Sequence, residues 1–477
     1  MVFSSTVFIG FFLPVLLAVY FCIPKRFLPA RNIVLLVFSI LFYRFGGVKY
    51  LWLLLFSVGV NYLAGLCMNT PRKWLKKLVF LLAIACNLAM LGYYKYFGFG
   101  VSILASLGAD ITVPSIVLPI GISFYTFQGM SYTIDVYLGN CKIQKNPAYL
   151  LLYIAFFPQL VAGPIVRYVD VEDALHSREH SLTDFTDGMI RFMLGFGKKM
   201  LLAGAMGEIA DIAFSANADH LTAGLAWVGA IAYTFQIYFD FSAYSDMAIG
   251  LAQIFGFRFA ENFRYPYVAV SVTDFWRRWH ISLSTWFRDY VYFPLGGSRC
   301  STGKAIRNLF VVWMLTGLWH GAEWSFILWG LYYAVFLILE KYLLKNFLDK
   351  LPKFLRWGGT MLIVIAAWVF FRANNTQHAL GYLNAMLGLA NVSAADTAVS
   401  NAQAFYLIRQ HLPEWIVCIF AALPLVPWLK DLVQKIEKPR IRIACRILSM
   451  VFAFAVFLLS YIWLVTGSFN PFIYFQF

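Results

Sequence analysis

One histidine stands where an ionisable group is costly and therefore informative. From Leu309 to Leu339 the only charged residue is Glu323, and basic residues flank the run at both ends. Two full bilayer crossings need roughly 40 residues, more than this run supplies. It therefore reads as a broken or re-entrant pair whose turn lies within the membrane. The turn chemistry is Thr316-Gly-Leu-Trp-His320-Gly-Ala-Glu323, and His320 sits at its apex, about 18 Å along a helix starting at Leu309. A polar turn at that depth is tolerated only inside protein or beside a watery cavity, and an ionisable group there marks a functional site. An imidazole so placed suits a general base that takes a proton from an attacking hydroxyl. The structural alternative is a hydrogen-bonded core histidine.

A second constellation lies at 258–307, where Arg258, Arg264, Arg277, Arg278, Arg288, Arg299, Lys304 and Arg307 alternate with aromatic residues. Such a segment is too charged to cross lipid and too aromatic to float free, so it belongs in the interface. It is either a cytoplasmic anchoring belt or a cationic mouth for a phosphate-bearing substrate. In the second reading Arg277, Arg278 and Arg288 supply the cations, and Trp276, Trp279 and Trp286 offer faces for stacking. His280 lies in the same belt, lining an entrance or serving as a structural hydrogen bonder. Asp135, Asp240 and Asp246 occur in apolar surroundings and read as partners for arginine or as helix caps. No spacing marks a metal triad, and the seven cysteines form no cluster, so neither a disulfide framework nor a zinc site is expected.

These groups must be positioned by membrane helices. Charged residues make up 13% of the chain, about half the usual complement of a soluble domain. Apolar runs recur along its whole length, and the reading is all-α and polytopic, one membrane domain over 1–477. About ten to twelve membrane segments are expected, some re-entrant. Met1 to Gly10 holds no Lys or Arg, so the first run reads as a retained span rather than a signal peptide. Lys25, Arg26 and Arg31, then Arg72, Lys73, Lys76 and Lys77, mark the two richest N-terminal loops as cytoplasmic, which leaves the N-terminus outside. Near the other end, 373–412 reads as external, and a last span at 447–466 leaves the tail 467–477 outside. The parity of spans between 98 and 258 stays open. The net charge of +15 sits between apolar runs and reads as cytoplasmic loops, not as a nucleic-acid surface.

The stretch Trp276-Arg-Arg-Trp-His280-Ile-Ser-Leu-Ser-Thr-Trp-Phe-Arg-Asp-Tyr290, followed by Pro294-Leu-Gly-Gly297, resembles the signature of membrane-bound O-acyltransferases. Leu318-Trp-His320-Gly-Ala resembles that family's second histidine motif. Pro119 to Gln128, Phe157 to Pro164 and Tyr238 to Asp246 are similar as well, so the likeness covers nearly the whole chain in order. It is strongest to the bacterial branch of alginate and peptidoglycan O-acetylation subunits, with teichoic acid D-alanylation more distant. The resemblance implies a helical core pierced by a tunnel, an essential His320 in it, and acyl transfer from a cytoplasmic thioester to the outside. It also implies a bacterial inner-membrane location, acetyl-CoA as co-substrate with no other cofactor, an external hydrolase-like partner, and a polysaccharide or peptidoglycan acceptor. The C-terminal Phe472-x-Tyr474-x-x-Phe477 resembles the branch's acyl-carrying tyrosine motif, with Phe472 and Phe477 as anchors and Tyr474 as nucleophile. The plain alternative is an external aromatic belt. The competing function is a transporter or flippase of an acyl donor or envelope precursor without covalent catalysis. Transporters often carry inverted repeats, and no obvious one is found here.

Overall fold

A computed structural model describes residues 1–45, 47–217, 220–467 and 472. Among them every regular element is helical, as backbone groups in lipid require. Five helices are long and apolar enough to cross a membrane: Tyr50–Cys67, Lys73–Ser106, Trp324–Leu343, Lys353–Arg372 and Pro439–Thr466. A sixth is possible if Leu412–Ala421 and Leu425–Gln434, bent by 58°, form one broken span. Other segments expected from the apolar runs are shorter, such as Phe8–Cys22. The 373–412 segment folds as two helices, Thr376–Met386 and Ala394–Gln410, whose first turns are capped by Asn375 and Ser393. The chain forms two compact units: Met1–Phe192 with Tyr244–Glu261, and Met193–Ala243 with Asn262–Phe477.

In the first unit, Phe3, Phe8, Phe12, Phe42 and Phe157 make a continuous ring cluster. Gly121 begins the helix Ile122–Leu138 in the left-handed region, at φ 77°. A Cβ at Gly121 would collide with the Leu160 carbonyl, so glycine lets the motifs around Pro119 and Pro158 meet backbone to backbone. Asn61 and Asn87 exchange amide hydrogen bonds of 3.1 and 3.2 Å, and Thr133 Oγ1 donates to Asn61 Oδ1 at 2.6 Å. Arg191 is held by Asp246 at 2.7 Å and Glu261 at 2.6 Å. Asp135 accepts from the Asn140 side chain just past its helix. Asp246 and Asp135 thus have structural partners. Lys25 Nζ donates to the His180 carbonyl at 2.8 Å. The 177–181 loop therefore lies beside the first basic loop.

In the second unit the expected break in the Leu309–Leu339 run is present. Thr302–His320 and Trp324–Ile338 form an antiparallel hairpin joined through Gly321, Ala322 and Glu323. Its arms touch backbone to backbone: a Cβ at Gly317 would strike the Phe326 carbonyl, and one at Gly330 the Trp313 carbonyl. The arm lengths correct the helix limits read from the sequence. The first helix starts at Thr302 and carries Lys304 and Arg307, and the second continues through a π-helical turn, Leu339–Leu343, carrying Glu340 and Lys341. At 1.5 Å per residue each arm is about 28–30 Å long, enough by length to cross. Charges at the ends were read as helix limits, but long side chains near helix ends reach the interface without ending the helix. Lys199 is buried, on the π-helical turn Lys198–Ala203, and pairs with Asp240 at 2.6 Å.

Gly317→Val should force the arms apart and cost about 1–3 kcal/mol, typical of overpacking. Thermal unfolding of detergent-purified protein should show a lowered Tm and lost transfer activity. A wild-type Tm would show that the arms have slack.

Candidate active site

His320 ends the first hairpin arm and is 6% exposed. Its ring is walled by Trp319 at 5.0 Å, Trp329 at 5.1 Å and Phe371 at 5.2 Å between centroids. Trp329 and Phe371 stand nearly perpendicular to it, at 83° and 77°. The fourth neighbour is the imidazole of His280, 6.4 Å away. Two histidines separated by 40 positions in the sequence thus share one aromatic chamber.

His280 is fully buried and sits at φ 44°, ψ 53°, a left-handed conformation that costs a non-glycine residue energy and often marks a functional site. The strain is held from both sides. Upstream, Glu340 of the second hairpin arm accepts from the backbone of Val272 at 2.7 Å and Thr273 at 3.2 Å, which caps the short helix Val272–Trp276. Downstream, Asn262 Oδ1 accepts from the Ser282 backbone at 3.1 Å and from the Ser282 hydroxyl at 2.9 Å. A backbone N–H can only donate, so the Asn262 atom facing His280 Nδ1 at 3.2 Å is an oxygen. Nδ1 therefore carries the proton and Nε2 is the basic nitrogen. Nε2 is buried with no hydrogen-bond partner among the described residues.

The aromatic-basic belt divides by spacing. Trp276 and Trp279 are three apart and turn inward, Trp276 against Trp313, Trp329 and Tyr333, and Trp279 against Phe275 and Trp368. Trp286 is buried beside Phe287 and Tyr290. Trp276 and Trp279 build the chamber's support, and all three indoles are buried rather than open for stacking, which corrects that expectation. Of the arginines, Arg278 is engaged by Asp274 at 2.8 Å and Arg288 by Asp289 at 2.7 Å. Arg277 is exposed and has no ion pair among the described residues. Tyr474 and Phe477 lie outside the described residues. Phe472 is 3% exposed, 6.1 Å from the Phe241 ring, and Phe241 turns its ring edge-on to His280 at 4.7 Å and 86°. Among the described residues no three His, Cys, Asp or Glu side chains gather as a metal-ligand set.

Asn262, Phe241, Glu340 and Trp329 are the residues that sequence reasoning missed. Each acts through a contact distant in sequence. Only the odd charge of Glu340, directly after an apolar run, offered a signal.

Burial pushes the His280 imidazole down to about 3 from 6.5. Between those values the unfolded chain binds a proton that the folded chain refuses. Stability is therefore complete above about pH 6.5 and declines as pH falls toward 3. Wild-type protein should lose more Tm than His280→Gln between pH 7.5 and 5. Equal pH slopes would mean that this imidazole is not held neutral.

The family model for membrane-bound O-acyltransferases matches residues 144–378. The probable alginate O-acetylase AlgI of Azotobacter vinelandii is 39% identical, with 100% of each chain covered. That of Pseudomonas aeruginosa is 44% identical over 84% of this chain and 78% of its own. The peptidoglycan O-acetyltransferase of Helicobacter pylori is 35% identical over 82% of this chain and 81% of its own. The match spans His280, His320 and the hairpin that carries His320, and the chain is an acyltransferase belonging to the membrane-bound O-acyltransferase family.

Proposed function

We propose that this protein moves an acetyl group from cytoplasmic acetyl-CoA across the bacterial inner membrane, for O-acetylation of a cell-envelope or exported polysaccharide. The observation that carries the reading is the buried pair of His320 and His280 in one aromatic chamber. Alginate and peptidoglycan, the acceptors named for the relatives, are the leading acceptor classes. The basic loops set the donor side, and by the same charge pattern both termini are external.

The chemistry requires a nucleophile, a base and a leaving group. The Tyr474 hydroxyl oxygen attacks the thioester carbonyl carbon while His320 takes the phenolic proton. The C–O bond forms, the C–S bond breaks, and the departing sulfur of CoA takes that proton back from His320. The phenyl ester then passes its acetyl group to a serine of an external hydrolase-like partner, which delivers it to the polymer. A phenol, with pKa near 10, leaves more readily than an aliphatic alcohol, so the ester remains transferable. His280, fully buried and held neutral, lines the chamber beside His320 and helps to position it. Arg277, exposed and without an ion pair among the described residues, offers its charge to a CoA phosphate.

Three variants test this. His320→Ala should fold and lose about 10²–10⁴-fold in transfer. Near-normal turnover of a monodisperse mutant would remove His320 from the chemistry. Tyr474→Phe keeps the ring and removes the nucleophile, so polymer acetylation should cease. Normal acetylation, or no label on the C-terminal peptide of wild-type protein after incubation with labelled acetyl-CoA, would reduce Tyr474 to an anchor. Arg277→Gln should raise the KM for acetyl-CoA more than it lowers kcat, and an unchanged KM would place the phosphates elsewhere.

A further inference from the structure

Lys199 and Asp240 form an ion pair in the interior of the second unit, 2.6 Å apart, with side chains only 6% and 3% exposed. An ion pair in such surroundings is a poor way to hold a fold together. Desolvation of both charges offsets their attraction, and an apolar pair of similar volume is often as stable. Its backbone setting is unusual as well, because Lys199 lies on the π-helical turn Lys198–Ala203, and such turns concentrate at functional sites.

Two contacts say what the pair attends to. Lys199 Nζ lies 5.9 Å from the centroid of the Phe472 ring, within reach of a cation–π interaction. Phe241, the residue after Asp240 on the same helix, is 6.1 Å from that ring and 4.7 Å from the His280 ring between centroids. One ring thus separates Phe472 from the site histidine. The helix that delivers the tail, Pro439–Thr466, packs on the segment leading to Lys199. Phe457 lies 5.6 Å from Phe196, and a Cβ at Gly197 would strike Val456.

We propose that the Lys199–Asp240 pair is the seat for Phe472, and that it positions the C-terminal tail at a set distance from His280. The ammonium faces the π surface of Phe472, while Asp240 keeps that ammonium in place and compensates its charge. The seat rests on the reading of Tyr474 as acyl carrier, because Tyr474 lies two residues further on, within about 7 Å of extended chain. Lys199 and Asp240 act through Phe472 and are positioning residues.

The test uses the purified full-length protein and two readouts, one of them independent of chemistry. Carboxypeptidase digestion reads whether the tail is seated, and label from acetyl-CoA on the C-terminal peptide reads transfer. Lys199→Met with Asp240→Leu should fold, expose the tail to digestion about tenfold faster, and lose label through kcat at unchanged KM for acetyl-CoA. Lys199→Arg keeps a cation and should retain most of the protection. Phe472→Leu, which keeps an apolar side chain without a π face, should release the tail like the double variant, and it serves if that variant does not fold. Wild-type protection and labelling in either variant would overturn the seat. A wild-type tail that is protected, released by both variants and never labelled would keep the seat and remove the acyl carrier.

Discussion

The backbone contact between the two hairpin arms decides where the chemistry can be. At Gly317 and Gly330 the arms approach with no side chain between them, which fixes the register of Thr302–His320 against Trp324–Ile338. His320 is three residues past the first of these contacts, and its position follows from them. Trp329, which walls the imidazole, is next to the second. The same second arm, continued to Glu340, caps the helix that leads to His280. One close contact between helices therefore governs both histidines, although they come from separate stretches of chain.

A second constraint is that an interior charge or amide left without a partner is costly. The first unit answers with Arg191 between two carboxylates and with the Asn61–Asn87 amide pair. The second answers with Lys199 and Asp240, and with Asn262, whose single oxygen orders both Ser282 and His280. Asn262 does more than satisfy valence. It decides which nitrogen of His280 carries hydrogen, and so which nitrogen is basic.

Much of this was legible in the sequence. The helical fold and the break around Gly321 followed from charge-free length and turn residues, which are local properties. The partners of the site were not legible, because Asn262, Phe241 and Glu340 reach His280 or its helix only through the folded chain. The tryptophans of the belt were misjudged for a different reason. An indole beside arginines suits an interface, and composition does not say which way it turns. The three-residue spacing of Trp276 and Trp279, with the arginines between them, was the available sign of an inward face. The length of the hairpin arms was underread because charged residues within the first or last turns look like helix limits in a sequence.

The reciprocal amides of Asn61 and Asn87 bear on how the chain assembles. They lie on consecutive helices, Val48–Cys67 and Lys73–Leu91, and complete each other without help from later residues. As the chain leaves the ribosome, this hairpin can enter the bilayer with its polar groups already matched. An unmatched amide would instead have to wait in hydrocarbon for a distant partner. The Thr133 hydroxyl, made later, adds its bond to a pair that is already closed. The helix Ile122–Leu138 thus packs against two helices whose amides already satisfy each other.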